Sequence, residues 1–280
     1  MSIIVLLMVL LCLFPIVNIL SESFSENTAV QAGEIWFWPV GFNLKSYAYV
    51  LRRAPFWRAM LISFQRVLLG GGMNLAICLL TAYPLSKDRA RFKMRTVYVW
   101  FIFFTALFSG GLIPSYIIVK QLGLLNSIWA LVLPSAVPVF NVLLMINFYR
   151  SIPAALEEAA LIDGAGQWRI LVKIFIPASL PAIATIVIFS MVAHWNSWFD
   201  GIIYMNTPTN YPVSSYLRIL LFQSNIMQTG PAADSQALKE VSERTLKAAQ
   251  MFIGILPILL VYPFMQKYFV KGIMLGSVKG

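Results

Sequence analysis

The chain is short of charge, of metal-binding chemistry and of nucleotide motifs. Only 11% of its 280 residues are Asp, Glu, Lys or Arg, against roughly 25% in soluble domains. A water-soluble protein of this length could not cover its surface with so few charges, and 59% of the residues are hydrophobic. His194 is the one histidine, which excludes a histidine metal cluster. The two cysteines, Cys12 and Cys78, both fall inside apolar runs, so neither a disulfide framework nor a CxxC metal pair is available. They read as small core residues, and no metal site is expected. Gly-x-x-x-x-Gly-Lys-Ser/Thr, HExxH and Gly-x-Ser-x-Gly are all missing. The chain is therefore not expected to be an enzyme, to hydrolyse ATP itself or to bind a cofactor.

What is present is apolar sequence in lengths close to the ~20 residues that cross a bilayer. Six runs stand out, at about Ser2 to Leu20, Ala59 to Leu85, Val97 to Tyr116, Ser127 to Tyr149, Ala178 to Phe199 and Ala248 to Phe264. They predict an all-α membrane protein with six transmembrane helices in a single domain, 1–280, whose core is about 59–264. The first run lacks a basic flank and a convincing small-residue cleavage site, so a retained helix is expected rather than a signal peptide. Gly70 to Gly72, Pro84, Gly110, Gly111, Pro134, Pro138, Pro181 and Pro257 lie inside the runs. They fit either kinked helices around a cavity or close helix packing through small residues.

The net charge of +10 is not a nucleic-acid footprint, because the cations sit between apolar runs and line no groove. Their distribution orients the chain instead. Eleven Lys and Arg residues lie in 87–95, in the loop 150–177 and in the tail 266–280; the other ten are spread through the alternate connections, with seven acids, or within a run. The rule that cytoplasmic loops are the positive ones then places both chain ends in the cytoplasm. The connections at about 21–58, 117–126 and 201–247 fall outside.

The loop 150–177 is the most informative stretch. Ser151 and Pro153 suit a helix start, Ala154 to Ile162 are strong helix formers, and Glu157 and Glu158 lie toward its positive end. Gly164 and Gly166 supply the permissive backbone that a helix end needs. From Gln167 to Ile176, Trp168, Leu171, Val172 and Phe175 recur at helical spacing, with Arg169 and Lys173 on another face. The expectation is a short helix, a bend and an amphipathic helix. Ala154, Ala155, Ala159 and Ala160 give the first helix a small-residue face suited to a groove on a partner protein. An interfacial helix on lipid headgroups is the alternative, made poorer by two adjacent acids beside an anionic leaflet.

At these residues the chain resembles a family. Glu158-Ala159-Ala160, three residues, Gly164, nine residues and Ile174-Phe175-Ile176-Pro177 look like the EAA signature of permease subunits of ATP-binding-cassette importers. Ile176 stands where that pattern has Leu. The wider text "PAALEEAALIDGAGQWRILVKIFIP", with "TAYPLSK" at Thr81 to Lys87 and "FVKGIMLGSVKG" at Phe269 to Gly280, resembles the carbohydrate branch and the smaller maltose permease subunit. "GGLIPSYIIVKQLGLLNSIWALVLP" at Gly110 to Pro134 is similar to the branch serving larger oligosaccharides, alginate in some members.

The resemblance implies a multi-pass protein of the bacterial cytoplasmic membrane. Its expected partners are a second, non-identical permease subunit, two ATPase subunits holding the ATP and Mg, and an extracytoplasmic solute-binding protein delivering a sugar or oligosaccharide. It also implies that the loop is a cytoplasmic coupling helix contacting the ATPase through Glu157, Glu158, Ala159, Ala160, Asp163, Gly164, Ile174 and Pro177. The tail, through Lys271, Gly272 and Lys279, would reach the same partner.

Polar residues inside spans are expensive and tend to face cavities. The expected substrate path is Asn141 with Ser190, His194, Trp195, Asn196, Trp198 and Asp200, since aromatic rings and hydrogen-bonding groups suit sugars. Trp at a span end can equally be an interfacial belt. Arg66 either faces the path and attracts an acidic sugar, or snorkels to the interface, which the length of its run favours. Three other functions are weighed. An ion-driven transporter should show inverted repeats and often a mid-span carboxylate, neither of which is found. A membrane enzyme lacks its motifs, and a non-transporting sensor or scaffold stays open.

Overall fold

The computed structural model describes residues 2–222 and 243–277, and every regular element among them is helical. In chain order these are α1 (Ser2–Ser23), α2 (Asn27–Ala32), α3 (Lys45–Arg52), α4 (Ala54–Ser86), α5 (Arg95–Leu107), α6 (Leu112–Gln121) and α7 (Ile128–Val132). They are followed by α8 (Val139–Ser151), α9 (Ala154–Ile162), α10 (Gln167–Ala178), α11 (Leu180–Asn196), α12 (Phe199–Tyr204), α13 (Val213–Phe222) and α14 (Glu243–Ser277). Among the described residues, three stretches are long and apolar enough to cross a membrane as single helices: Ile4–Ser23, Ala54–Ser86 and Arg244–Val261. Three bent pairs qualify when each is taken as one span, which brings the number to six.

The bends favour kinked spans, one of the two readings left open by the Gly and Pro residues inside the apolar runs. The run 97–116 is broken: α5 and α6 meet at 111° across Phe108 to Gly111. Phe108 is extended there and Gly111 takes φ 85°, a conformation that costs glycine little. The run 127–149 bends by 49° between Ser135 and Val139. α10 and α11 meet at 80° around Ser179, so the amphipathic helix leaves the span at the end of the expected loop.

The chain divides into two compact units. One comprises the described residues of Met1–Ile62 and Thr207–Leu260. Here Arg244 pairs with Glu22 at 2.5 Å, Arg58 donates to Asn210 at 3.1 Å, and the buried Phe56 ring meets Tyr216 edge-on. Gly254 permits a close approach, since a Cβ there would lie 2.8 Å from Leu217. The outer connection expected at 201–247 contains α13, and its residues 223–242 lie outside the described residues.

The second unit comprises Ser63–Asn206 and the described part of Val261–Gly280. Its core joins Cys78, Ala82 and Tyr83 of α4, Val142, Met145 and Tyr149 of α8, Ile170, Leu171 and Phe175 of α10, and Ala182 and Ile186 of α11. Cys78 is fully buried, as expected, whereas Cys12 is exposed on α1. Within α10 the residues Leu171–Phe175 form a wider, π-type turn. That turn sits where Leu171 and Phe175 enter the core.

Candidate functional site

Two polar constellations stand out among the described residues of the second unit. The first is built on the loop. Pro153, with ψ 129°, delivers the chain into α9, whose fixed φ it already provides. After Asp163, Gly164 turns at φ 76°; its N–H donates to Leu161 O at 3.0 Å and the N–H of Ala165 donates to Ala160 O at 2.9 Å. These bonds satisfy carbonyls that the helix end would otherwise orphan. The helix–bend–helix expected from the sequence is present.

The two adjacent acids behave differently. The Glu157 side chain is only 9% exposed and forms ion pairs with Lys87 Nζ at 2.8 Å and with an Arg91 nitrogen at 3.1 Å. Glu158 is 59% exposed and lies 3.6 Å from Arg91. Glu157 thus anchors α9 to the segment that follows α4, while Glu158, Ala159 and Asp163 face outward with Leu156 and Ile162. Ala160 is half-buried against the core, as is Ile174, and Pro177 is exposed beside the bend into α11. Lys87 also lies over the Tyr83 and Phe175 rings, at 4.0 and 4.1 Å. Burial lowers its pKa from the ordinary lysine value, and the bond to Glu157 opposes that shift. Tyr83 Oη donates to Gln167 at 2.7 Å, and Arg95 Nε donates to Leu85 O at 2.8 Å. A cleft of about 630 Å³ remains between these groups, with Arg91, Leu161 and Trp168 on its walls. In the sequence Lys87 and Arg91 stand out only as orienting charges. Their pairing with an acid some 70 residues away leaves no local signal.

The second constellation surrounds a cavity of about 820 Å³. Four of the expected path residues line it: Asn141, Ser190, His194 and Asp200. Asn141 Nδ2 donates to Ser190 Oγ at 3.3 Å. The bend before α8 frees backbone carbonyls, and Asn74 Nδ2 donates to those of Ser135 and Ala136 at 2.8 and 3.0 Å. With its amide nitrogen so used, Asn74 Oδ1 accepts from His194 Nε2 at 3.0 Å, which assigns the proton to that ring nitrogen. Gly70 leaves room for the imidazole: a Cβ there would stand 2.5 Å from His194 Cε1 and Nε2. Nothing in the local sequence marks Asn74 or Gly70 for this role.

Three expected path residues are absent from the cavity wall. Trp195 is buried with its ring edge-on to Phe64 at 5.3 Å, Asn196 is exposed, and Trp198 meets Phe199 edge-on at 5.6 Å. Arg66 is also corrected. It does not snorkel: it is 2% exposed, lines the cavity and makes a forked pair with both carboxylate oxygens of Asp200. One nitrogen also donates to Ser197 O at 3.1 Å. Asp200 Oδ1 accepts in addition from Ser197 Oγ and from the Gly201 N–H, each at 2.9 Å. Helix α11 stops at Asn196, so helical spacing no longer governs the residues beyond it, and Asp200 reaches the cavity from the next turn. Among the tail residues, Lys279 lies outside the described residues. For Lys271 and Gly272 only the helical backbone of α14 is described.

Bent spans around a cavity that carries a cluster of polar groups, joined to an exposed helix–bend–helix loop, define a membrane permease subunit. The chain belongs to the family of binding-protein-dependent transport system inner membrane components, whose model matches residues 89–275. It is 38% identical to the polygalacturonan/rhamnogalacturonan transport system permease protein YtcP of Bacillus subtilis, over 98% of this chain and 95% of that one. It is 37% identical to the Bacillus subtilis protein LplC, over 96% and 90%. Its fold superimposes with a TM-score of 0.88 on a chain of a bacterial ABC transporter involved in the import of the acidic polysaccharide alginate. That chain is 31% identical, with 96% of this chain and 94% of the other covered.

Proposed function

We propose that this chain is a permease subunit of an ATP-driven importer for oligosaccharides derived from acidic polysaccharides, with the 820 Å³ cavity on the substrate path. The observation that carries the reading is the charge-balanced set of hydrogen-bonding groups in the otherwise apolar wall of that cavity. Its acid, Asp200, is tied to Arg66, and Asn74, Asn141, Ser190 and His194 supply hydrogen-bonding groups among apolar neighbours. Such a wall offers a sugar's hydroxyls partners while presenting a uronate with neither an unscreened carboxylate nor a cation that would trap it. The acidic class is supported by the substrate in the name of YtcP and by that of the alginate importer.

Coupling would run through α9. Glu158, Ala159 and Asp163 form the outward face for a partner ATPase on the cytoplasmic side, and Gly164 sets the angle of the lever. Glu157 transmits its position to the end of α4 through Lys87 and Arg91. Because α4 also carries Arg66, Gly70 and Asn74, movement of its loop end would reach the cavity wall. Both chain ends are cytoplasmic in this scheme, a second permease closes the path, two ATPase subunits hold the nucleotide and Mg, and a binding protein delivers the sugar.

The test is ATP hydrolysis by the full complex in nanodiscs with its binding protein. Oligogalacturonates or alginate oligomers should stimulate hydrolysis severalfold, and neutral oligosaccharides of equal length should not. Equal stimulation by neutral sugars would remove the acidic class. Failure to co-purify any ATPase would remove the importer reading.

A further inference from the structure

The segment that follows α2 exposes a run of aromatic side chains: Trp36 is 65% exposed, Phe37 53% and Trp38 83%. Exposed rings on a loose connection would mean little, but this connection is fastened down. Asn18 Nδ2 donates to the carbonyls of both Ile35 and Trp36, at 3.1 Å each, and Ser21 Oγ donates to that of Phe37 at 2.7 Å. Beyond the rings, the N–H of Val40 donates to Ser25 Oγ at 3.1 Å and its carbonyl accepts from the N–H of Glu26 at 2.9 Å. The Phe37 ring lies edge-on against Phe14, centroids 5.1 Å apart.

These contacts fix the depth of the aromatic run. Asn18 and Phe14 lie five and nine residues before the end of α1 at Ser23, which at 1.5 Å per residue is about 7.5 and 13 Å back along the helix axis. The segment therefore folds back along the last turns of a span whose apolar residues Ile4 to Ile16 are almost all exposed. The Phe37 ring packs on that apolar face at Phe14, and Trp36 and Trp38 flank it in the chain. A loop in water has no need to satisfy three consecutive carbonyls with side chains of a neighbouring helix, because solvent does so. At the edge of the hydrocarbon, unpaired carbonyls are costly, and these are all paired. Trp in particular favours that boundary, where an apolar ring meets a polar N–H.

We propose that Trp36, Phe37 and Trp38 form a lipid-binding anchor inserted at the boundary of headgroups and acyl chains beside the C-terminal end of α1. The partner is the bilayer itself. The anchor fixes how far α1 is drawn into the membrane, with Asn18 and Ser21 as positioning residues that satisfy the carbonyls of the anchor.

The test attaches an environment-sensitive fluorophore to the thiol introduced by Trp38→Cys, in a Cys12→Ala background, with the full importer complex in phosphatidylcholine–phosphatidylglycerol nanodiscs. A second variant, Trp36→Cys in the same background, guards against loss of expression from either change. Lipids carrying a nitroxide high on the acyl chain should quench the label at least twofold more than lipids carrying it near the chain end, and aqueous iodide should quench it weakly. Strong iodide quenching without lipid quenching would overturn the proposal. So would shielding of the label only on addition of the solute-binding protein, or only on addition of an oligosaccharide.

Discussion

The two charge clusters of the second unit use the same chemistry to different ends. At the loop, Glu157 is shared by Lys87 and Arg91, and Arg91 reaches on to an exposed Glu158, so the network is redundant and partly open to solvent. At the cavity a single forked pair, Arg66 with Asp200, carries the whole charge balance, with Arg66 almost completely buried. Redundancy suits a joint that must shift between two states, because one contact can yield while another holds. A lone buried pair suits a fixed point, since separating it strands a charge.

The largest effect should follow from breaking the fixed point. Asp200→Ala leaves Arg66 without a counter-charge and should cost about 3 to 5 kcal/mol, seen as loss of the folded protein in size-exclusion and thermal-unfolding measurements in detergent. The double variant Arg66→Met with Asp200→Leu should recover most of that loss. If Asp200→Ala alone is as stable as the parent, the pair is not the anchor described.

Next comes Gly164→Val. A β-branched residue at φ 76° is strained by roughly 1 to 3 kcal/mol whatever the free space around it, and no atom stands within 4 Å of the added Cβ. Transport should be lost while insertion persists, read by vesicle uptake against membrane-fraction yield. Full uptake would detach this loop from coupling.

A smaller difference should separate the adjacent acids. Glu157→Gln removes charge-assisted bonds from a mostly buried group, worth roughly 1.5 to 3 kcal/mol, whereas Glu158→Gln touches an exposed pair worth at most about 0.5 kcal/mol. Unfolding should therefore report Glu157→Gln alone. A loss of ATPase retention without loss of stability should report Glu158→Gln. Equal behaviour of the two would erase the distinction between anchor and outward face.

The smallest effect is one of pH. Because burial lowers the Lys87 pKa in the folded chain below 10.5, the folded state sheds that proton first as pH rises. The cost of holding the charge is present at neutral pH and is relieved on approaching 10.5. Glu157 opposes the shift, so in Glu157→Gln the relief should begin at lower pH. Melting temperature against pH, referenced to Lys87→Met, measures it.

The contrast also explains what is legible in the sequence. The loop can be read because its determinants are local: Pro153 starts a helix, Gly164 ends it, and hydrophobic spacing defines the next one. The cavity can be read only in part. Ser190 and His194 share a face of α11, and helical spacing finds them. Trp195, chosen for its ring, falls outside the cavity wall, and helical spacing lapses beyond Asn196, where the helix ends. Arg66 misleads because its partner lies 134 residues away, and a span with an arginine near one end looks the same whether the charge snorkels or is paired. The 111° break of the third run is written in Gly110 and Gly111, but glycine in a membrane helix signals packing as readily as a corner.

Gly70 and His194 make a final point about inheritance. With 2.5 Å between the imidazole and any Cβ at position 70, a side chain cannot be added at 70 while the ring at 194 stays in place. A lineage that gains a side chain at 70 must first, or at once, shrink the ring at 194, and it then loses the donor to Asn74 Oδ1, the amide whose nitrogen binds the bend before α8. The two positions are distant in the chain yet ordered in their changes, so a descendant with a side chain at 70 should lack the ring at 194.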